Sequence, residues 1–318
     1  MIEILKTQDD KSLKELTLNE AESGSWFNLI NPTFEEIQKV SIILDLEEDF
    51  IRNSLDADEL SRIEYEDGNL LVIINVPILD DERNFDTLPL GLIFTHEGII
   101  TVCAKDNKII NSFNSETSKF FDTRDKTKFM LNILFRTAKY YLRYLKIINK
   151  QTEEIEDSLR KTTNNKALFK LIEAQKSLVY FTTALKDNRV VLEKILKSVN
   201  AQSLIGIIKF SEDDVDMLED VIIETRQAEE MVEMHRTILE SMMDGFASII
   251  NNNVNQVMKF LAAITIILSI PTMLGSFWGM NVPIPFSNEP MGFIYVIVIS
   301  IISALAATIF LFSKKGMY

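Results

Sequence analysis

The pattern of hydrophobic and polar positions divides the chain into a mixed front and an apolar end. Two runs near the C-terminus carry no charged residue, 19 residues from Phe260 to Trp278 and 21 from Gly292 to Phe312. A membrane-spanning helix needs about 20 apolar residues, and both runs are hydrophobic on all sides. The pattern therefore predicts two transmembrane helices, over residues 259–278 and 291–313.

The first of these runs continues a much longer helical pattern. Between Ser211 and Ile270 there is no proline, and Gly245 is the one glycine. Ser211 is followed by acidic residues and suits a helix N-cap. We predict one helix from Ser211 to Phe277, about 100 Å long at 1.5 Å per residue. Residues 209–258 would form a stalk that continues into the first membrane span.

The remaining front of the chain, residues 1–208, reads as an α/β/α domain. A strand, a turn and a helix opened by Pro32-Thr33 are predicted first. Residues 69–79 and 90–105 are β-rich, and "THEG" splits the second run into a hairpin. Residues 126–197 show three- and four-residue hydrophobic spacing, with a break at 162–165, which predicts a pair of packed helices.

Composition excludes several classes of function. The net charge of −14 argues against a nucleic-acid partner, because such proteins present a basic face. One cysteine and two histidines, far apart, give neither a zinc cluster nor a Cys–His pair. No phosphate-binding loop, nucleophile elbow or kinase signature occurs. The N-terminus has no cleavable signal pattern. We therefore expect a protein that is not an enzyme.

Basic residues flank the two predicted spans on one side. Lys259 precedes the first span, and a tail over 314–318 carries Lys314 and Lys315. The connecting loop, residues 279–290, has neither Lys nor Arg. By the positive-inside rule both termini lie in the cytosol and the loop lies outside. The expected location is the cytoplasmic membrane, crossed twice.

A stripe of polar residues follows the first span. Steps of four and three residues from Asp244 give a period of 3.5, as in left-handed helix bundles. Every hydroxyl of the span falls on this stripe. Its members are Asp244, Ser248, Asn251, Asn255, Met258, Ala262, Thr265, Ser269, Thr272 and Ser276.

Two interpretations of the stripe remain open at this level. Each hydroxyl by itself is explained by a hydrogen bond to the backbone one turn back, or by a helix–helix contact. Four hydroxyls in register favour a pore lining, with Met258 and the neighbouring Leu261 forming an apolar constriction that gates by dewetting. Two helices cannot enclose a water-filled path, so conduction requires an oligomer. Neutral oxygens suit hydrated Mg²⁺, which sheds water reluctantly.

The outer end of the first span carries a recognisable motif. "GMN", at Gly279, Met280 and Asn281, ends the span about 40 residues before the C-terminus. Together with "NQVMKFLAAITIILSIPTMLGSFWGMN", "SLDADELSRIEYEDG" and the acidic stalk, it resembles the CorA-type divalent-metal transporters over essentially the whole chain. The resemblance implies Mg²⁺ uptake, with Co²⁺ and Ni²⁺ as further candidate ions, through a homopentameric funnel.

The resemblance also implies roles for particular residues. Gly279, Met280 and Asn281 would form the selectivity filter, and Asn255 an amide ring at the inner end. Met258 and Leu261 match the constriction, and Thr272 matches a mid-pore threonine. Two positions depart from the family pattern.

The first departure is Trp278, where the family usually has Tyr. The second is Ser269, where some relatives have a bulkier apolar residue, which leaves the length of the constriction open. We expect Gly279 to let the chain turn, and Pro283 and Pro285 to stop the helix from resuming. Glu289, the one acid of the loop, is either solvated surface or a collector of cations.

The stalk is strongly acidic, with twelve Asp or Glu and two Arg or Lys between Ser211 and Asp244. Such a helix is a solvated face or, in an oligomer, a field that concentrates divalent ions. The resemblance implies that Mg²⁺ bound between subunits closes the channel. Asp220 matches the interfacial aspartate and Asp244 a second acidic position. The partner of Asp220 is left open among Asp80, Asp81 and Glu82.

Two alternatives to Mg²⁺ uptake are kept. A transporter of Zn²⁺, Co²⁺ or Ni²⁺ would have the same architecture, although the absence of Cys and His near the path weakens a soft-metal site. A membrane-anchored metal sensor without transport would gain nothing from polar residues in lipid.

Overall fold

A computed structural model describes residues 1–80, 84–161, 165–200, 208–282 and 290–313. The chain divides into two compact units, Met1–Ser241 and Met242–Tyr318, called here the first and second units. The first unit contains a sheet and its covering helices. The second contains the end of a long helix and one further helix.

The sheet of the first unit has seven strands in the order β2-β1-β3-β7-β6-β5-β4. Every pairing between these strands is antiparallel except that of β3 with β7. The hairpin predicted at "THEG" joins β6 to β7. The strands are β1 Ile2–Thr7, β2 Leu13–Leu16, β3 Ser25–Ile30, β4 Arg62–Glu66, β5 Asn69–Leu79, β6 Phe85–Phe94 and β7 Gly98–Cys103.

Helices cover both faces of the sheet, which explains why its central strands are apolar on both sides. On one face, β3 contributes Phe27 to a core shared with α1, Phe34–Leu44, and α2, Glu48–Asn53. On the other face, its neighbour Trp26 packs with residues from the later helices. The alternation of side chains along β3 thus supplies both cores.

Local signals set the helix boundaries of this part. The Oγ1 of Thr33 accepts from the backbone N–H of Glu36, and the Glu36 carboxylate accepts from the N–H of Thr33. This capping box confirms the helix start predicted at Pro32-Thr33. A short helix, α3, follows β7 over Lys108–Asn111.

Two long helices, α4 over Lys126–Lys161 and α5 over Asn165–Asn200, confirm the predicted pair. Asn188 ties α5 to the sheet. Its side chain accepts from the Asn75 N–H at 2.8 Å and donates to the Asn75 carbonyl at 2.7 Å. It also accepts from the Ser61 hydroxyl at 2.8 Å. One amide therefore completes the hydrogen bonding of β5 beyond the end of β4.

The long helix α6 runs over Glu212–Trp278, one residue later at each end than predicted. Ser211 caps it, since its hydroxyl accepts from the Asp214 N–H at 3.3 Å and its N–H donates to the Asp214 carboxylate at 2.9 Å. Helix α7 runs over Gly292–Ser313. Both α6 and α7 are long and apolar enough to cross a membrane, which agrees with the two predicted spans.

Candidate functional site

The part of α6 in the second unit has one covered side. Two of its residues, Pro271 and Gly275, share a groove with residues of α7 that include Val296, Ser300 and Ala304. The residues of this part of the span that are buried or half-buried are Ala263, Ile264, Ile267, Ile270, Pro271, Leu274 and Trp278. The covered side of α6 is therefore apolar.

The polar stripe lies on the other side of the same helix. At 100° per residue, its centre is roughly half a turn from the centre of the covered set. Each predicted pore residue is exposed in the single chain. These residues are Asn255, Met258, Leu261, Ala262, Thr265, Ser269, Thr272 and Ser276. The stripe thus has no partner within the described part of its own chain that would bury it.

Each of the four hydroxyls within the span, those of Thr265, Ser269, Thr272 and Ser276, forms the backbone hydrogen bond considered above. All four donate to the carbonyl four residues earlier, at 2.7 to 3.0 Å. The helix-contact explanation fails within the chain, because α7 lies against the covered side. The backbone bond satisfies one proton and leaves the oxygen lone pairs exposed.

Two large apolar side chains, one on the polar stripe and one beside it, are exposed near the N-terminal end of the span. Met258 is 59% exposed and Leu261 is 51% exposed. Singly exposed hydrophobic residues are common at protein surfaces. These two lie on the same uncovered side as Asn255 and Thr265, where burial requires molecules other than the chain itself.

The GMN motif, Gly279 to Asn281, begins directly after the last residue of α6. The N–H of Gly279 donates to the Gly275 carbonyl at 3.0 Å, and that of Met280 to Phe277 at 3.3 Å. Gly279 does not adopt a left-handed φ, and an added Cβ would meet atoms no closer than 3.5 Å. The chain turns at Gly279 as expected, but the turn uses a backbone conformation that other residues can also adopt. Residues 279–282 are exposed, and Pro283, Pro285 and Glu289 lie outside the described residues.

The acids of the stalk fall into two groups. Three of them pair with bases on α4 and α5: Glu224 with Lys139 at 2.7 Å, Glu229 with Arg189 at 2.8 Å, and Glu233 with Lys186 at 2.9 Å. Asp220 and Asp244 belong to the other group. Both are exposed, and no ion pair joins either to another described residue. These three acids fasten α6 to α4 and α5, and Glu240 pairs with Arg236 of its own helix at 3.6 Å. Asp220 and Asp244 therefore keep charges that no ion pair with a described residue neutralises.

Of the three candidate partners of Asp220, the structure describes Asp80. Its carboxylate accepts from the backbone N–H of Asn84 at 2.7 Å and from the side-chain amide of Asn84 at 3.3 Å. Asp81 and Glu82 lie outside the described residues. Across the described ranges, no three His, Cys, Asp or Glu side chains of one chain converge as a metal site. The described residues of one chain therefore do not assemble the predicted Mg²⁺ site by themselves.

The sequence matches one family profile over nearly its whole length. The profile is described as "CorA-like Mg2+ transporter protein" and covers residues 21–315.

The chain belongs to the CorA-like Mg²⁺ transporter family.

Individual relatives agree with this membership. The cobalt/magnesium transport protein CorA of Methanocaldococcus jannaschii is 26% identical over 325 residues, covering 99% of each chain. The magnesium transport protein CorA of Helicobacter pylori is 23% identical over 303 residues, 92% of this chain and 90% of that protein. The complete structure of the M. jannaschii CorA magnesium transporter superposes with a TM-score of 0.82 at 24% identity, covering 100% of this chain and 99% of that one.

In this CorA-like chain the four- and three-residue steps, continued from Asp244 towards the N-terminus, pass through exposed positions that include the acids Glu230, Asp220 and Asp216. Met234 and Ile223 lie on the same continuation and are exposed as well, so it is not polar throughout. A 3.5-residue period drifts by about 20° every seven residues on a straight α-helix, so over this length the repeat does not put Asp220 on the face of the hydroxyls, and exposure is what the two have in common.

Proposed function

We propose that this CorA-like chain assembles as a homopentamer in the cytoplasmic membrane and imports Mg²⁺ through a pore lined by α6. The observation that carries the proposal is the position of the polar stripe, roughly half a turn from the side that faces α7. Each hydroxyl donates to its own helix backbone, but in lipid the lone pairs of four oxygens in register would stay without a hydrogen-bond donor. Five copies of α6 facing one another place them around a shared water-filled path.

The chemistry of the stripe suits a hydrated dication. Mg²⁺ usually keeps several waters when bound, and the lone pairs of the Ser and Thr hydroxyls can accept hydrogen bonds from those waters. At the outer mouth of the pore, Gly279, Met280 and Asn281 form the filter. The side-chain carbonyl oxygen of Asn281 also accepts hydrogen bonds from the waters of the ion. Neutral oxygens bind the hydrated ion without holding it, and conduction needs both entry and exit.

The membrane potential drives uptake. With both termini in the cytosol, a dication moving inward through 100 mV gains about 4.6 kcal/mol, from about 2.3 kcal/mol per charge. The inner end holds the gate: Asn255 forms an amide ring, and Met258 and Leu261 form an apolar ring that dewets when it narrows.

Cytosolic Mg²⁺ closes this gate by binding between subunits. Asp220 and Asp244 are exposed acids whose charges are free to meet a neighbouring copy, with Asp80, Asp81 or Glu82 of that copy as the partner of Asp220. When Mg²⁺ is scarce, repulsion among these carboxylates loosens the closed arrangement. The ion shifts the equilibrium by its higher affinity for the closed state.

The transport proposal is tested in liposomes that contain the full-length protein and an Mg²⁺ indicator. An imposed negative-inside potential should drive uptake by the wild type, and Asn281→Ala should slow the initial rate by at least about tenfold. Asn253→Ala, an exposed asparagine of the same helix that lies off the stripe, is the matched control and should transport normally. Equal rates for wild type and Asn281→Ala would refute the filter, and native mass measurement counts the subunits.

The regulatory part has a separate test. Internal Mg²⁺ should inhibit uptake by the wild type and should inhibit the double variant Asp220→Ala/Asp244→Ala much less. Glu219→Ala removes the exposed acid next to Asp220 and should leave inhibition in place. Unchanged inhibition in the double variant would show that these acids do not sense the ion.

Co²⁺ is the ion to compare with Mg²⁺, because the M. jannaschii relative is named for both. Competition of Co²⁺, Ni²⁺ and Zn²⁺ with Mg²⁺ in the same liposomes ranks the ions. Absence of any uptake, together with retained Mg²⁺ binding, would favour the membrane-anchored sensor.

A further inference from the structure

The four hydroxyls of the span are all oriented by hydrogen bonds to the backbone of α6. Thr265 donates to the Leu261 carbonyl at 2.9 Å, and Ser269 donates to the Thr265 carbonyl at 2.7 Å. Thr272 and Ser276 do the same one turn and two turns further along, at 3.0 and 2.8 Å. All four hydroxyls on this face of α6 thus point their protons at carbonyl groups of their own helix.

The use of the proton by the backbone decides which hydrogen bonds each hydroxyl can form with water or an ion. A hydroxyl has one O–H donor and two acceptor lone pairs. Here the proton is used by the backbone, so the side of each oxygen that faces away from the helix carries lone pairs alone. Within the span, between Phe260 and Trp278, the four exposed hydroxyls therefore accept hydrogen bonds from their surroundings and do not donate them, although a free hydroxyl can do both.

We propose that this acceptor-only surface discriminates a hydrated cation from a hydrated anion by the orientation of their waters. The inference rests on the proposed function, because it needs the stripe to line the pore. Waters around a cation turn their oxygens inward and present hydrogens, which the hydroxyl oxygens accept. Waters around an anion turn one hydrogen inward and present their lone pairs and one hydrogen outward, so they offer the hydroxyl oxygens of the span fewer hydrogens and find no donor there. Selection by sign is thus obtained without a charged residue between Phe260 and Trp278.

The second membrane helix provides a built-in control. Thr308 of α7 donates to the Ala304 carbonyl at 2.8 Å, the same backbone bond as in the stripe. It is half-buried and lines the groove between α6 and α7. Any effect that follows only from removing a threonine hydroxyl from a membrane helix should therefore appear at Thr308 as well.

The test uses the full-length protein in liposomes, with Mg²⁺ uptake and chloride flux measured on the same preparation. Threonine and valine have nearly the same shape, so the double variant Thr265→Val/Thr272→Val removes two oxygens with little change of volume. We expect its initial Mg²⁺ uptake to fall by at least about tenfold. Thr265→Ser/Thr272→Ser restores the two oxygens and should recover most of the uptake that the valine variant loses. Thr308→Val changes the other membrane helix and should stay within about twofold of the wild type.

The outcomes separate this inference from the function on which it rests. Wild-type uptake with an unchanged Thr265→Val/Thr272→Val variant overturns the inference and leaves transport standing. An equal loss in Thr308→Val overturns it also, since position on the stripe would not matter. Chloride flux through the wild type comparable to Mg²⁺ uptake overturns the selection by sign. No wild-type uptake overturns both.

Assembly has to be the same in every variant compared, which native mass measurement establishes. If the double variant does not assemble, the single variants Thr265→Val and Thr272→Val replace it. Each is expected to slow uptake by about threefold, since the two layers act in series, and wild-type rates in both would overturn the inference.

Discussion

The two units of the chain satisfy their polar groups in opposite ways. In the first unit, the Asn188 amide is 4% exposed and bonds to Asn75 and Ser61 within the same chain. In the second, Asn255 and the four hydroxyls are exposed, beside large uncovered apolar side chains. The first unit is explained by its own contacts. The second has surfaces that only a bilayer or further copies of the chain can cover.

The strongest test of this contrast compares two aromatic residues. Trp26 is 1% exposed and donates from its indole to the Thr101 hydroxyl at 2.9 Å, whereas Phe293 in α7 is 75% exposed. We expect Trp26→Ala to lower the free energy of unfolding by about 3–5 kcal/mol, and Phe293→Ala by less than about 1 kcal/mol. Urea unfolding in detergent, followed by circular dichroism, measures both. Similar losses would contradict the contrast.

A smaller effect is expected for the two asparagines. Asn188→Ala should cost about 1–2 kcal/mol of unfolding free energy, because it leaves the half-buried N–H of Asn75 without its partner, whereas the Tyr141 hydroxyl still donates to the Asn75 carbonyl at 2.9 Å. Asn255→Ala should stay within about 0.5 kcal/mol, because its amide is exposed. The same unfolding experiment applies. A stable Asn188→Ala variant would show that water replaces the amide and that the link between α5 and β5 is dispensable.

Titration of His235 should give a still smaller effect, confined to the first unit. Burial lowers the pKa of His235, against a weaker opposing attraction from Glu153. The unfolded chain then binds more protons than the folded one once the pH falls below about 6.5. Stability should therefore decrease as the pH falls through this window, by at most about 1.4 kcal/mol per pH unit, and level off below the folded pKa. His235→Gln should remove this slope, and identical slopes would exclude His235 as its source.

The smallest effect is expected for the ion pairs that fasten α6 to its domain. Lys139 and Glu224 are 2.7 Å apart, but the Lys139 side chain is 48% exposed. Solvent screening limits such a pair, so Lys139→Ala should cost at most about 1 kcal/mol, and less in 1 M salt. Glu224→Gln should behave alike. A loss that salt does not change would indicate that the Lys139 stem acts through packing on Phe135 instead.

Much of the fold could be predicted because its signals are local. The Thr33 capping box, the Ser211 cap and the run from Ser211 to Phe277 fix helix boundaries from a few neighbouring residues. The sheet order could not be predicted, because the parallel pairing of β3 with β7 joins segments some 70 residues apart. Nor could the role of Asn188, since a polar residue on an amphipathic helix looks the same whether it faces water or a strand.

The candidate site also has features that local sequence patterns predict and features that depend on distant contacts. Periodicity found the stripe, and the opposite placement of α7 could not be read from it. The ion pairs of Glu224, Glu229 and Glu233 could not be predicted either, because a count of acidic residues does not distinguish paired acids from unpaired ones. Only the fold distinguishes the acids that hold α6 in place from Asp220 and Asp244.

The core of the first unit has a consequence for synthesis of the chain. Leu218, Val221 and Ile222 of α6 pack in the same cluster as Trp26 of β3, so this core cannot close until translation has passed residue 222. The first membrane segment begins at Phe260, fewer than 40 residues later. At about 5–20 residues per second, that interval lasts on the order of 2–8 s. The chain must therefore reach the membrane at nearly the same time as its first unit completes folding.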